Sequence, residues 1–164
     1  MSDKRLRMIM PILCILWIGL IFFMSSDADS YDKTLSVSEG VSNQIHGTNV
    51  EGEIAGNKAD DTVVDLINLT IRKSGHFLEY LVLSVLLLQT FEVYGMQGKR
   101  AMLSVLLVCL LIGSLDEFYQ SFVPGRNAAV IDVMIDFAGA ITGLLVFKRR
   151  FLNFQGNGRK GKHV

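Results

Sequence analysis

Most of the side chains in this sequence that could do chemistry interrupt long apolar runs, where a charge is least soluble. His76 and Glu79 stand at i, i+3, with Tyr80 beside them and Lys73 three residues earlier. Asp116 and Glu117 are adjacent, and Gln120 shares the helical face of Asp116 at i, i+4, as Asp136 shares that of Asp132. Between these groups the turn Pro124-Gly125-Arg126-Asn127 carries a guanidinium. The residue types allow two kinds of chemistry. His76 or Glu79 can act as a general base, with Asp116 and Glu117 as further catalytic candidates and Asp116, Glu117 and Asp132 as the carboxylates that would hold a divalent cation. Alternatively, Lys73, Arg126 and the acids can read the polar head of a ligand. No nucleophile with an adjacent base and no two-histidine zinc motif is present, so no cofactor is expected.

Energetics limits where these acids can be. An acid at mid-membrane costs about 2.5–3.5 kcal/mol, whereas each Leu, Ile, Phe or Val returns only about 0.3–0.6. Asp116 and Glu117 together therefore cancel most of the apolar gain of their own helix, and they must pair, stay protonated or face water. Arg126, His76 and the hydroxyl of Tyr80 or Tyr119 are the expected partners.

The elements that position them are four apolar runs, at about 8–24, 76–91, 102–123 and 129–147. Each is long enough to cross most of a bilayer core as a helix. The fold expected is all-α: an integral-membrane four-helix transmembrane bundle with an extracytoplasmic loop containing short amphipathic helices. A cleaved signal peptide is the rival reading of the first run. The run outlasts a usual signal core and ends in bulky Phe22, Phe23 and Met24, which favours an anchor. Gly139 and Gly143 with Ala140 give the last run a small-residue packing face.

Residues 25–73 change character, with nine acids and several glycines. Ser36 and Glu39 have capping-box spacing, and Val37, Val41 and Ile45 recur every fourth residue, predicting a short amphipathic helix. A second is expected over 61–73, with Val63, Leu66, Ile67 and Ile71 on one side. Asn68-Leu69-Thr70 matches a glycosylation triplet too common to carry an inference. Eleven of the sixteen Lys and Arg fall in the N-terminal segment, the 99–100 turn and the segment after 147, which predicts both termini cytoplasmic and loop 25–73 extracytoplasmic. Residues 1–150 form the membrane domain, and 151–164 read as a basic, disordered cytoplasmic tail able to touch anionic lipid. Net charge is zero, giving no global field for nucleic acid, and Cys14 and Cys109 sit in apolar runs as small hydrophobes.

Taken together, Lys73-x-x-His76-x-x-Glu79-Tyr80, Asp116-Glu117-x-x-Gln120-x-x-x-Pro124-Gly125-Arg126, then Asp132, Gly139 and Gly143, resemble the VanZ-like family of small bacterial membrane proteins. Ser25-Ser26 after the first run fits as well. One departure is Asp136, where that family commonly has Asn. The resemblance implies an association with low-level resistance to teicoplanin-type glycopeptides. The leading expectation is a cell-envelope protein whose outward polar cleft binds an amphiphilic ligand, either a glycopeptide antibiotic or a lipid-linked cell-wall component. Lys73, His76, Glu79, Tyr80, Asp116, Glu117, Gln120, Arg126, Asp132 and Asp136 would line it. The alternative is a membrane-embedded enzyme acting on a lipid or envelope substrate. An ion-coupled carrier ranks last, because the cytoplasmic halves of the helices offer no acid for an inward path.

Overall fold

In a computed structural model, residues 3–27, 30–45, 58–124, 126 and 128–160 are described. They form five helices: α1 (Asp3–Ser25), α2 (Ser30–Ile45), α3 (Lys58–Val93), α4 (Gly98–Gln120) and α5 (Val130–Lys160). No strand occurs among the described residues. Four stretches are long and apolar enough to cross a membrane: Lys4–Ser25, Thr62–Val93, Gly98–Gln120 and Val130–Phe147. Burial agrees with that environment. Leu16, Leu103, Leu107 and Leu145 are exposed, whereas Asp116, Gln120 and Asp136 are buried, the reverse of a water-soluble fold. The chain is an all-α, multi-pass membrane protein.

α3 is the central element and packs against all four others. The amphipathic helix expected over 61–73 and the membrane run expected from 76 are one continuous rod. No proline lies between Lys58 and Val93. Once a helix is nucleated, each added residue gains a hydrogen bond, so Ser74-Gly75 does not break it. α2 starts at Ser30, so Ser36 lies inside the helix rather than at its cap. On the apolar side of this helix Val37 and Val41 are exposed, whereas Ser38 and Ser42 are buried. The first half of α3 does the same, with Leu66 62% exposed and Asn68 1% exposed, so the sequon asparagine is not a surface residue. Small polar residues mediate packing here, and the apolar stripe faces outward, as it does for a helix in contact with lipid.

α4 begins four residues earlier than its apolar run and ends at Gln120, where Ser121, Phe122 and Val123 turn back on Glu117, Tyr119 and Gln120 carbonyls before Pro124. The α3–α4 turn needs left-handed backbone at Gly95 and Gly98 (φ 88° and 66°), which glycine adopts without a Cβ penalty. α5 continues past the apolar run to Lys160, and 161–164, the end of the expected tail, lie outside the described residues. One hydrogen bond per added residue again favours continuation.

α3 and α5 run parallel, since Lys73 meets Asp132 and His76 meets Asp136, while further along Phe77 lies under Gly139 and Leu81 under Gly143. A Cβ at Gly139 would overlap the Phe77 carbonyl, and one at Gly143 would stand 2.5 Å from the Leu81 oxygen. α1 is tied to α3 by Trp17 Nε1 donating to the Glu79 carbonyl (2.9 Å) and by Cys14 Sγ against Thr90 Oγ1 (3.2 Å). Both cysteines are free and buried.

Candidate functional site

The polar side chains that interrupt the apolar runs gather at one end of the bundle, where α1 ends, α4 turns into α5 and the membrane part of α3 begins. They form two groups joined by His76. The first is built on Asp116, which is 0% exposed. Ser25 Oγ and Gln120 Nε2 each donate to Asp116 Oδ2 at 2.8 Å, and Gln120 Nε2 also reaches Ser25 Oγ at 3.1 Å. Arg126 closes this group from the turn, donating through Nη1 to Gln120 Oε1 (3.4 Å) and through Nη2 to the Met24 carbonyl (2.7 Å). The i, i+4 spacing of Asp116 and Gln120 places the amide one turn from the carboxylate, within donating distance of it.

The second group spans α3, α4 and α5. Lys73 Nζ pairs with Asp132 Oδ1, and one turn on, His76 Nδ1 stands 3.2 Å from Asp136 Oδ1, an ion-pair distance without hydrogen-bond alignment. The two i, i+4 acids of α5 thus meet Lys73 and His76, at i, i+3 on α3, because the helices are parallel. Glu117 reaches across from α4: its Oε2 accepts from the Ala129 amide (2.7 Å), just ahead of α5. Its other oxygen, Oε1, is buried and has no hydrogen-bond partner among the described residues, as is true of both Asp136 oxygens, Asp116 Oδ1 and Tyr80 Oη. One ligand atom each from His76, Glu117 and Asp132 lies within 4.8 Å of the others, and all three residues are buried. The carboxylate-only set Asp116, Glu117 and Asp132 is not the one that converges in this way; His76 takes the place of Asp116.

Beside these groups is a cavity of about 270 Å³, lined by polar Ser25, Asp27, Arg72, His76, Glu79 and Arg126 among others, with Phe23, Met24 and Ile71 as its apolar wall. Arg126 lies outside the membrane spans; burial first, then the like charge of Arg72, holds its guanidinium below the ordinary value, opposed by Asp116, Asp27 and Glu79. It remains charged at neutral pH.

Of the expected partners for the intramembrane acids, His76 faces Asp136, and Arg126 acts through Gln120 and the Met24 carbonyl. The two tyrosines do otherwise: Tyr80 Oη is unpartnered among the described residues, and the Tyr119 ring packs edge-on against Phe22. Lys73 supplies the ion pair to Asp132 instead. Three contributors carry no distinguishing sequence signal. Arg72 and Asp27 read as ordinary solvated charges in the polar segment, and Ser25 is a small residue at a helix end; only its place in the family pattern marks it.

A model of the VanZ/LLP1 family matches residues 10–153. No curated protein and no solved structure matches the chain. The matched segment takes in most of α1, all of α2, α3 and α4, the membrane part of α5, and every residue of both polar groups, and by that match the chain belongs to the VanZ/LLP1 family.

Proposed function

We propose that this protein lies in the cell membrane with both termini cytoplasmic and the α1–α3 loop outside, and that it holds the anionic head group of a lipid-linked cell-wall component in the cavity at that outer end. The basic asymmetry of the sequence supports the orientation. The observation that carries the ligand class is that Arg72 and Arg126 line one cavity. A phosphate or diphosphate between two guanidiniums accepts bidentate hydrogen bonds from both. Asp27 and Glu79 in the same wall accept from sugar hydroxyls or amines. Volume favours the lipid-linked component: sites that enclose a drug-sized ligand measure roughly 300–1,000 Å³. A cavity of about 270 Å³ fits a head-group fragment, not an engulfed glycopeptide. In this reading, lowered susceptibility to teicoplanin-type glycopeptides acts through the lipid-linked component.

Purified protein in nanodiscs, incubated with a lipid-linked wall precursor and re-isolated, distinguishes the possibilities. Retention of unaltered precursor is the expected result. Chemical alteration of it would instead establish an enzyme, with His76 or Glu79 as base. No retention and no alteration would remove the ligand class.

A further inference from the structure

We propose that His76, Glu117 and Asp132 form a divalent-cation site where α3, α4 and α5 meet, with Asp136 orienting the histidine. The ligand atoms come from three different helices and already lie within 4.8 Å of one another. Ligands about 2.0–2.2 Å from a zinc ion are at most about 4.4 Å apart, so side-chain rotation closes the set on an ion. Each residue has an atom available. Glu117 is buried and commits Oε2 to the Ala129 amide, leaving Oε1 unpartnered among the described residues. Asp132 gives Oδ1 to Lys73 and keeps Oδ2. His76 turns Nδ1 toward Asp136 and has Nε2 as its second ring nitrogen.

That last pairing has the residue types and the 3.2 Å spacing of a metal site's outer shell, and a ring rotation would align it into a hydrogen bond. A ligating histidine usually presents its other nitrogen to a carboxylate, which fixes the ring and raises its basicity. Asp136 is 1% exposed, and neither of its oxygens has a hydrogen-bond partner among the described residues.

Charge balance favours the same conclusion independently. At this end of the bundle the intramembrane acids are Glu79, Asp116, Glu117, Asp132 and Asp136, against Arg72, Lys73 and Arg126. With His76 neutral and all five acids ionised, two negative charges are unmatched, and uncompensated charge in a low-dielectric site is strongly destabilising. One divalent ion supplies the difference. An imidazole with two carboxylates and open positions suits a first-row ion of the Mn²⁺ or Zn²⁺ kind, with water or a ligand oxygen completing the shell.

The test is titration of chelator-stripped, full-length protein in detergent with Mn²⁺ alone, with free Mn²⁺ followed by electron paramagnetic resonance. One Mn²⁺ per chain is expected, displaced by Zn²⁺. Asp136→Asn should weaken binding by about 10–100-fold, the usual effect of losing an outer-shell partner, and Glu117→Gln and Asp132→Asn by at least as much. Glu92→Gln, which removes an acid at the opposite end of α3, should leave Mn²⁺ binding unchanged. If the variants do not accumulate, the wild type decides alone: Mn²⁺ should raise its melting temperature in a concentration-dependent way. A wild type that binds no Mn²⁺ and gains no stability from it overturns the proposal, as does an equal loss of binding in Glu92→Gln. No wall precursor enters this measurement, so its failure leaves the head-group reading standing.

Discussion

Asp116 illustrates how this bundle accommodates a carboxylate in the membrane. Ser25 and Gln120 both donate to one of its oxygens, and Arg126 stands behind Gln120 rather than on the acid itself. Asp116→Asn keeps an oxygen that can accept both bonds, so membrane abundance should hold, by immunoblot, while ligand retention falls. Ser25→Ala removes one of the two donors and should lower stability by about 1–2 kcal/mol, read as a lower melting temperature in detergent. Arg126→Gln should reduce both abundance and retention, because it withdraws the cation from a set of buried acids and frees the Met24 carbonyl. If Asp116→Asn is as poorly inserted as Arg126→Gln, the carboxylate serves folding rather than a ligand. The acids were legible in the sequence because a charge in an apolar run contrasts with its surroundings. Ser25 and Arg72 were not, since a serine at a helix end and an arginine in a polar segment contrast with nothing around them.

At the scale of elements, the contact between α3 and α5 sets the register of the whole site. Gly139 and Gly143 let the α3 backbone approach closely, and that approach brings Lys73 and His76 level with Asp132 and Asp136. Gly139→Ala should therefore destabilise strongly, by about 1–3 kcal/mol or more, because its Cβ would meet a backbone carbonyl that cannot move aside. Gly113→Ala should be milder, since its nearest neighbour is the Asp136 side chain at 3.1 Å, which can rotate. Melting temperatures in the order Gly113→Ala above Gly139→Ala are expected; the reverse order would mean that α3 and α5 are not so close. The apolar runs located all four membrane helices, because hydropathy reports contact with lipid. It does not report helical continuity, so α3 looked like two segments with Ser74-Gly75 between them. Nor does it report which side of α2 and of the start of α3 packs against the bundle. An apolar stripe marks the core only when the surroundings are water, and here Ser38, Ser42 and Asn68 make the packed side.

For the whole molecule, the reading depends on which side of the membrane the polar end faces. A reporter fused after Val164 should report the cytoplasm, and one inserted near Gly52 the exterior, because eleven of the sixteen Lys and Arg lie in the short segments assigned inside. The reverse pattern would put the cavity out of reach of an external ligand. The central claim is that two arginines in that cavity grip a lipid-linked phosphate, and the most direct test is the affinity of nanodisc-embedded protein for a polyprenyl diphosphate, measured for the wild type and for Arg72→Gln. Arg72 lines the cavity, and among the described residues none of the bonds that hold the two polar groups together involves it, so affinity is compared at equal, immunoblotted abundance of the inserted variant. Binding should weaken by about tenfold or more, the weight of one charge-assisted hydrogen-bond contact, and the wild type should bind the dephosphorylated polyprenol much less. Equal affinity of a well-folded Arg72→Gln, or equal affinity of the wild type for the polyprenol, would contradict the account.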